Sequence, residues 1–175
     1  MSDGTTSSRV SRLLQNVANV GIIIVVIALL SVLIRDRIRT AMPPEPPVIK
    51  AGDSLGSLLT DYHGPRARHL VLALSATCHF CSDSAPFYRR LVMSAVEHGS
   101  ADRLIAVFSQ PPEVGKAYLN QWDIKITNVV QADYSQLNVV ATPTLILVKS
   151  DGKVERVWVG KLTPDLEREV IALIS

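Results

Sequence analysis

The chain has 175 residues, room for one domain of ordinary size plus an appendage. Its hydrophobic share of 47% and mean hydropathy of +0.24 are high for a soluble domain. The net charge of +2 is local: residues 1–47 carry five Arg against Asp3, Asp36 and Glu45, whereas residues 48–175 carry 13 basic and 13 acidic side chains, and nothing there marks a nucleic-acid surface.

Residues 1–12 read as a short polar tail. Between Arg12 and Arg35 lie 22 residues without a charge, and 21–34 (GIIIVVIALLSVLI) is almost wholly apolar. As a helix this stretch rises about 33 Å, enough for a bilayer core of about 30 Å. It has no polar face, which argues against a buried core helix. Arg35-Asp36-Arg37 follows it and Thr40-Ala41-Met42 is a poor cleavage site, so residues 13–34 are expected to be an uncleaved transmembrane anchor held in the lipid bilayer. Arg9 and Arg12 precede the span and Arg35, Arg37 and Arg39 follow it, so basic residues alone favour an inward domain. A paired dithiol with no other cysteine points the other way, to an oxidising compartment, and we expect a single-pass protein with its C-terminal domain outside. Residues 35–47 form a basic, then Pro-rich linker ending in the extended spacer Pro43-Pro44-Glu45-Pro46-Pro47.

The domain is expected over residues 48–175. Leu70–Leu74 reads as a strand buried on both faces. Cys78 to about His98 reads as a helix, with Phe87, Leu91, Ala95 and Val96 near one face. Leu104–Phe108 is a second buried strand. Pro111-Pro112-Glu113 opens a helix reaching about Trp122. Ile126–Val130 reads as a short strand, and Asp133 as the cap of a short helix through Leu137. Thr144–Val148 and Val154–Val159 flank Ser150-Asp151-Gly152-Lys153 as a hairpin. Thr163-Pro164 opens the last helix, with an apolar stripe of Leu166, Val170, Leu173 and Ile174. The order implies an α/β domain, a mixed central sheet covered by helices.

The two cysteines of the chain stand together as Cys78-His79-Phe80-Cys81, where a strand gives way to a helix. A nucleophilic thiol must be a thiolate near neutral pH, and a helix N-terminus favours the anion. Cys78 is the expected nucleophile and Cys81, one turn on, the resolving thiol, attack passing through a mixed disulfide. His79, if protonated, would tune the thiolate and the couple, and Phe80 would form an apolar substrate rim. A closed zinc site needs four ligands, and the four histidines show no ligand spacing. A haem attachment site would need His where Ser82 stands. No metal or cofactor is expected beyond the redox-active disulfide. A structural disulfide over so short a loop would constrain the unfolded chain little.

Cys78-x-x-Cys81-x-x-x-x-Pro86 resembles the active-site helix of the thioredoxin superfamily, in which that proline kinks the helix. Ala141-Thr142-Pro143-Thr144-Leu145 resembles the superfamily's cis-proline segment, which implies that Pro143 lies against the dithiol and that Thr142 contacts the substrate backbone. The Cys78–Pro143 spacing, the extra strand–helix unit around 111–130 and the anchor are similar to the TlpA-like thiol–disulfide oxidoreductases of bacterial cytoplasmic membranes. That resemblance, over about residues 48–175, implies a thioredoxin-like fold, protein thiol or disulfide substrates, and a membrane or soluble electron donor or acceptor. The chain departs from thioredoxin at Thr77, where the family has Trp, at His79-Phe80, where it has Gly-Pro, and at Leu72, where it buries an acid. His79 and the missing proline lean toward an oxidising couple and the resemblance toward a reductant, so both directions of electron flow stay open. A peroxidase of the same fold would find Ser75 three residues before Cys78 but lacks the required proline at Val71. A copper-delivery module would need a wider cysteine spacing and a downstream His. An assembly factor with a merely structural disulfide is the third alternative.

Overall fold

The computed structural model describes residues 20–35, 48–55 and 68–174. The chain divides into two compact units, Met1–Glu45 and Pro46–Ser175. In the first, residues 20–35 form one helix, α1, with its described side chains exposed. It rises about 24 Å, and among the described residues no helix is long and apolar enough to cross a membrane. Residues 13–19 of the expected span, the tail before it and the linker 36–47 lie outside the described residues.

The second unit is built on a five-stranded mixed sheet in the order β3-β2-β1-β4-β5. The strands are β1 His69–Leu74, β2 Leu104–Phe108, β3 Asn128–Gln131, β4 Thr144–Val148 and β5 Val154–Val159. β1 pairs in parallel with β2 (Leu72 opposite Ala106) and antiparallel with β4 (Leu72 opposite Leu145). β3 joins β2 in parallel, and β5 joins β4 antiparallel. All six residues of β1 are buried, as are all five of β2 and of β4. That is why these segments are continuous apolar runs rather than alternating ones: both faces of the central strands are covered.

Side chains alternate between the faces. Leu70, Leu72, Leu74, Leu104, Ala106, Phe108, Leu145 and Leu147 join one core with α2 (His79–Asp83), α3 (Ala85–Glu97), α4 (Pro112–Gln121) and α5 (Pro164–Ile174). Val71, Ala73, Ile105, Val107, Ile146 and Val148 join a second core with Ile49, Leu55, Leu137, Val139 and Val154. α4 lies close on the first face because residue 115 is glycine: a Cβ there would stand 2.6 Å from the Phe108 ring.

Four expectations are corrected. The helix expected from Cys78 to His98 is two helices. Ser84 ends α2, its N–H bonding the carbonyls of Phe80 and Cys81 (both 3.2 Å), and Pro86, in the first turn of α3, has no N–H to continue the ladder. Val96 is 60% exposed, because it stands one residue, about 100° of helix, beyond Ala95 on the Phe87–Leu91–Ala95 stripe. The strand expected over 126–130 begins at Asn128, and Ile124 and Ile126 are buried in the connection before it. The helix expected after Asp133 is a run of turns: the Asp133 carboxylate accepts from the Ser135 N–H (2.9 Å), and Asn138 adopts a φ of 53°.

Candidate active site

Cys78 is the N-cap of α2, in extended conformation. Its Sγ faces the open end of the helix and accepts from the Cys81 N–H (3.4 Å), the place where an N-cap side chain meets unpaired donors. Its own N–H is tied to Ser75 O at the end of β1 (3.1 Å), so the last residues of the strand position the sulfur. Cys78 is half-buried and Cys81 wholly buried. Both are free thiols.

The two sulfurs are electrostatically unequal. Burial pushes the Cys78 thiol up, but hydrogen bonding from the Thr142 side chain, from Cys81 and from the backbone at Phe80 outweighs it, and the net pKa falls below 9.0. The Thr142 carbonyl, 3.2 Å away, accepts from the thiol while it is protonated. For Cys81 burial dominates. The neighbouring Cys78 sulfur raises it further, by hydrogen bond and by charge, and against the smaller opposing effect of the Ser75 backbone its pKa is pushed up to about 12. Of the two sulfurs Cys78 is the more readily ionised, and at neutral pH Cys81 holds its proton.

The Thr142-Pro143 bond is cis, Pro143 is buried and Thr142 half-buried. The segment is fixed from two sides: Thr144 Oγ1 donates to Ala141 O (2.7 Å), and Gly160 N–H to Pro143 O (2.7 Å). Sequence positions 64 residues apart thus meet at Cys78 Sγ. Beside them opens a groove of about 230 Å³ lined by Ser75, Ser109, Tyr134 and residues 139–142.

His79 is exposed, its Nε2 3.4 Å from Asp83 Oδ2 one turn on, and Lys161 Nζ reaches the same oxygen at 3.6 Å. Phe80 is 57% exposed, its ring 5.9 Å from that of His79. Pro86 is exposed in the first turn of α3. The geometry thus gathers Cys78, Cys81, Thr142 and Pro143 at one point, with His79 and Phe80 on the outer turn of α2 and Pro86 in the next helix, α3.

Several neighbours escaped the sequence reading. Asp83 was legible in principle, as the acid four residues after His79. Lys161, and Gln110, which donates to Ser75 Oγ (3.0 Å), come from other elements and left no local signal. Among the described residues no group of three or more His, Cys, Asp or Glu could hold a metal ion.

No family model matches the chain, and no curated protein matches it. Solved structures do. The chain is similar to the thioredoxin domain of a thiol-disulfide oxidoreductase from Bacteroides vulgatus (20% identity, 72% of this chain and 93% of that one, TM-score 0.50). It is also similar to a thiol:disulfide interchange protein of the thioredoxin family from Chlorobium tepidum (16% identity, 77% and 99%, TM-score 0.51). A third is the exposed lipoprotein thioredoxin of Streptococcus pneumoniae (22% identity, 65% and 88%, TM-score 0.50). These likenesses establish the thioredoxin fold.

Proposed function

We propose that the protein is a membrane-anchored thiol–disulfide oxidoreductase that exchanges a Cys78–Cys81 disulfide or dithiol with protein cysteines on the outer side of a bacterial cytoplasmic membrane. One observation carries this reading: a half-exposed thiol capping a helix, with a fully buried thiol one turn behind it and the Thr142-Pro143 segment against it. Two of the structural neighbours are a thiol-disulfide oxidoreductase and a thiol:disulfide interchange protein, which supports the same chemistry here.

In the reducing direction the Cys78 thiolate attacks a substrate disulfide. One substrate sulfur leaves as a thiolate and takes up a proton, and a Cys78–substrate disulfide remains. Cys81 then loses its proton, attacks Cys78 Sγ and expels the second substrate thiol. Two electrons pass to the substrate and the protein keeps the Cys78–Cys81 disulfide; the oxidising direction reverses each step. The groove beside Thr142 offers hydroxyls and backbone to the substrate main chain, and the exposed Phe80 offers apolar surface. His79 beside Asp83 sets charge on the outer turn of α2.

The anchor rests on the uncharged run 13–34, and the outer location on the lone cysteine pair. A maleimide that cannot cross membranes should label Cys78 in intact spheroplasts; labelling only after lysis would reverse the orientation. The exchange itself is tested by trapping. Cys81→Ala should accumulate mixed disulfides with cellular proteins through Cys78, and Cys78→Ser should accumulate none. If Cys81→Ala traps nothing under oxidising or reducing load, the protein does not work by disulfide exchange.

A further inference from the structure

The exchange mechanism requires Cys81 to give up its proton, and Cys81 is wholly buried. Leu72, on the strand behind it, is also fully buried, and among the described residues no Asp or Glu is buried. The proton and the transient charge on Cys81 must therefore be handled by other groups.

Two candidates stand in the same core. Tyr88 is fully buried on α3 and Tyr118 is 4% exposed on α4, and both rings pack in the cluster that contains Cys81. Neither hydroxyl completes a hydrogen bond among the described residues. Buried hydroxyls without partners are uncommon and costly, so each calls for a reason. Their placement supplies one. Tyr88 stands at the start of α3, across the Ser84 break from Cys81 on α2, and its N–H bonds Ser84 O (3.1 Å). Its hydroxyl adjoins Ser84, that of Tyr118 adjoins Ser82, and both feel the charge of Cys81 and of Cys78. Tyr118 is held in place by Phe108, edge to face at 5.8 Å.

We propose that the Tyr88 and Tyr118 hydroxyls are positioning groups for the resolving sulfur, donating hydrogen bonds to the Cys81 thiolate as it forms and taking the place of a buried acid. This rests on the exchange reading above. No net proton is consumed by the tyrosines: each O–H remains bonded to its oxygen and turns toward Cys81 Sγ when the thiol proton departs to the substrate thiolate or solvent. The other groups acting on Cys81 are the Ser75 backbone just after β1, Cys78 at the cap of α2, the Thr142 side chain before β4, which also favours the thiolate, and Tyr134 from the connection after β3. Tyr134 is not available for this, because its hydroxyl already bonds the carbonyls of Leu74 and Val107.

The test follows the two steps separately in the reduced full-length protein in mild detergent, with one equivalent of dithionitrobenzoate. Attack by Cys78 releases the first thionitrobenzoate, and resolution by Cys81 releases the second. Tyr88→Phe and Tyr118→Phe should leave the first release unchanged. Each should slow the second about three- to tenfold and shift its pH profile upward, the effect of losing one hydrogen bond to a thiolate after partial compensation by nucleophilicity. Denaturant midpoints should be unchanged or raised, since removing an orphaned hydroxyl relieves a burial cost. If the second step and its pH profile match the wild type in both variants and in the double variant, the hydroxyls play no part and the proposal is wrong. If the wild type itself shows no first release at Cys78, the exchange reading fails, and this inference with it.

Discussion

The two faces of the sheet treat a tyrosine hydroxyl in opposite ways. On the face covered by short connections, Tyr134 threads its hydroxyl between β1 and β2 and bonds the carbonyls of Leu74 and Val107. On the face covered by helices, Tyr88 and Tyr118 keep hydroxyls that complete no hydrogen bond among the described residues. The first face is built mainly of Val, Ile, Leu and Ala, and the phenolic group described there ties strands together. The second is built of Leu, Phe and helices, and holds both cysteines along with the orphaned hydroxyls. Polar groups on one side complete the scaffold, and on the other they are left open beside the sulfurs.

The widest separation should come from truncating the two cores. Leu91→Ala on α3 and Ile105→Ala on β2 both remove fully buried side chains and should each cost about 2–5 kcal/mol in urea unfolding. Only Leu91→Ala should also change thiol kinetics; an equal kinetic effect of Ile105→Ala would mean that the faces are not functionally distinct. The next effect is set by pH. The pKa of Cys81 in the folded, reduced protein is raised from 9.0 to about 12, so folding favours its protonated form. That stability is fully present below pH 9.0 and is lost as pH rises toward 12, a window in which Tyr118, raised from 10.0 to about 12, contributes in the same sense. Unfolding of the reduced protein across this range should show a downward slope that Cys81→Ala makes shallower; an unchanged slope would mean that Cys81 does not carry it. The smallest effect is Tyr134→Phe. It removes a donor that two carbonyls share and should destabilise by about 1 kcal/mol, opposite in sign to Tyr88→Phe.

Much of this was legible in the residues. Strands β2, β4 and β5 coincide with their apolar runs, and β1 differs only by His69, because buried strands bounded by turn residues leave few other placements. α4 and α5 begin where their prolines predicted. The dithiol at the strand–helix junction was readable because Cys78 and Cys81 are neighbours in the chain. What failed has physical causes. Ile124 and Ile126 looked like strand because apolar residues filling a core from a connection resemble those of a strand edge. Ser84 broke a helix that periodicity alone ran through. The tyrosines could not be singled out, because Tyr88 at helical spacing reads as ordinary core, and only the packing shows that its hydroxyl is unmatched. The meeting of Thr142 with Cys78 was inferred from a family likeness and not from pattern, since nothing local links residues 64 positions apart.

The margins of the sheet have a consequence of their own. One border strand, Asn128–Gln131, is only four residues long. The other, β5, carries Glu155 facing Arg68 at 3.7 Å and Arg156 paired with Glu169, and just before it Lys153 bridges to Ser54. Brevity on one side and charge on the other discourage a foreign strand from zipping on. If the proposed exchange with protein cysteines brings it against unfolded chains, it meets many such strands, and borders of this kind keep it from seeding their aggregation.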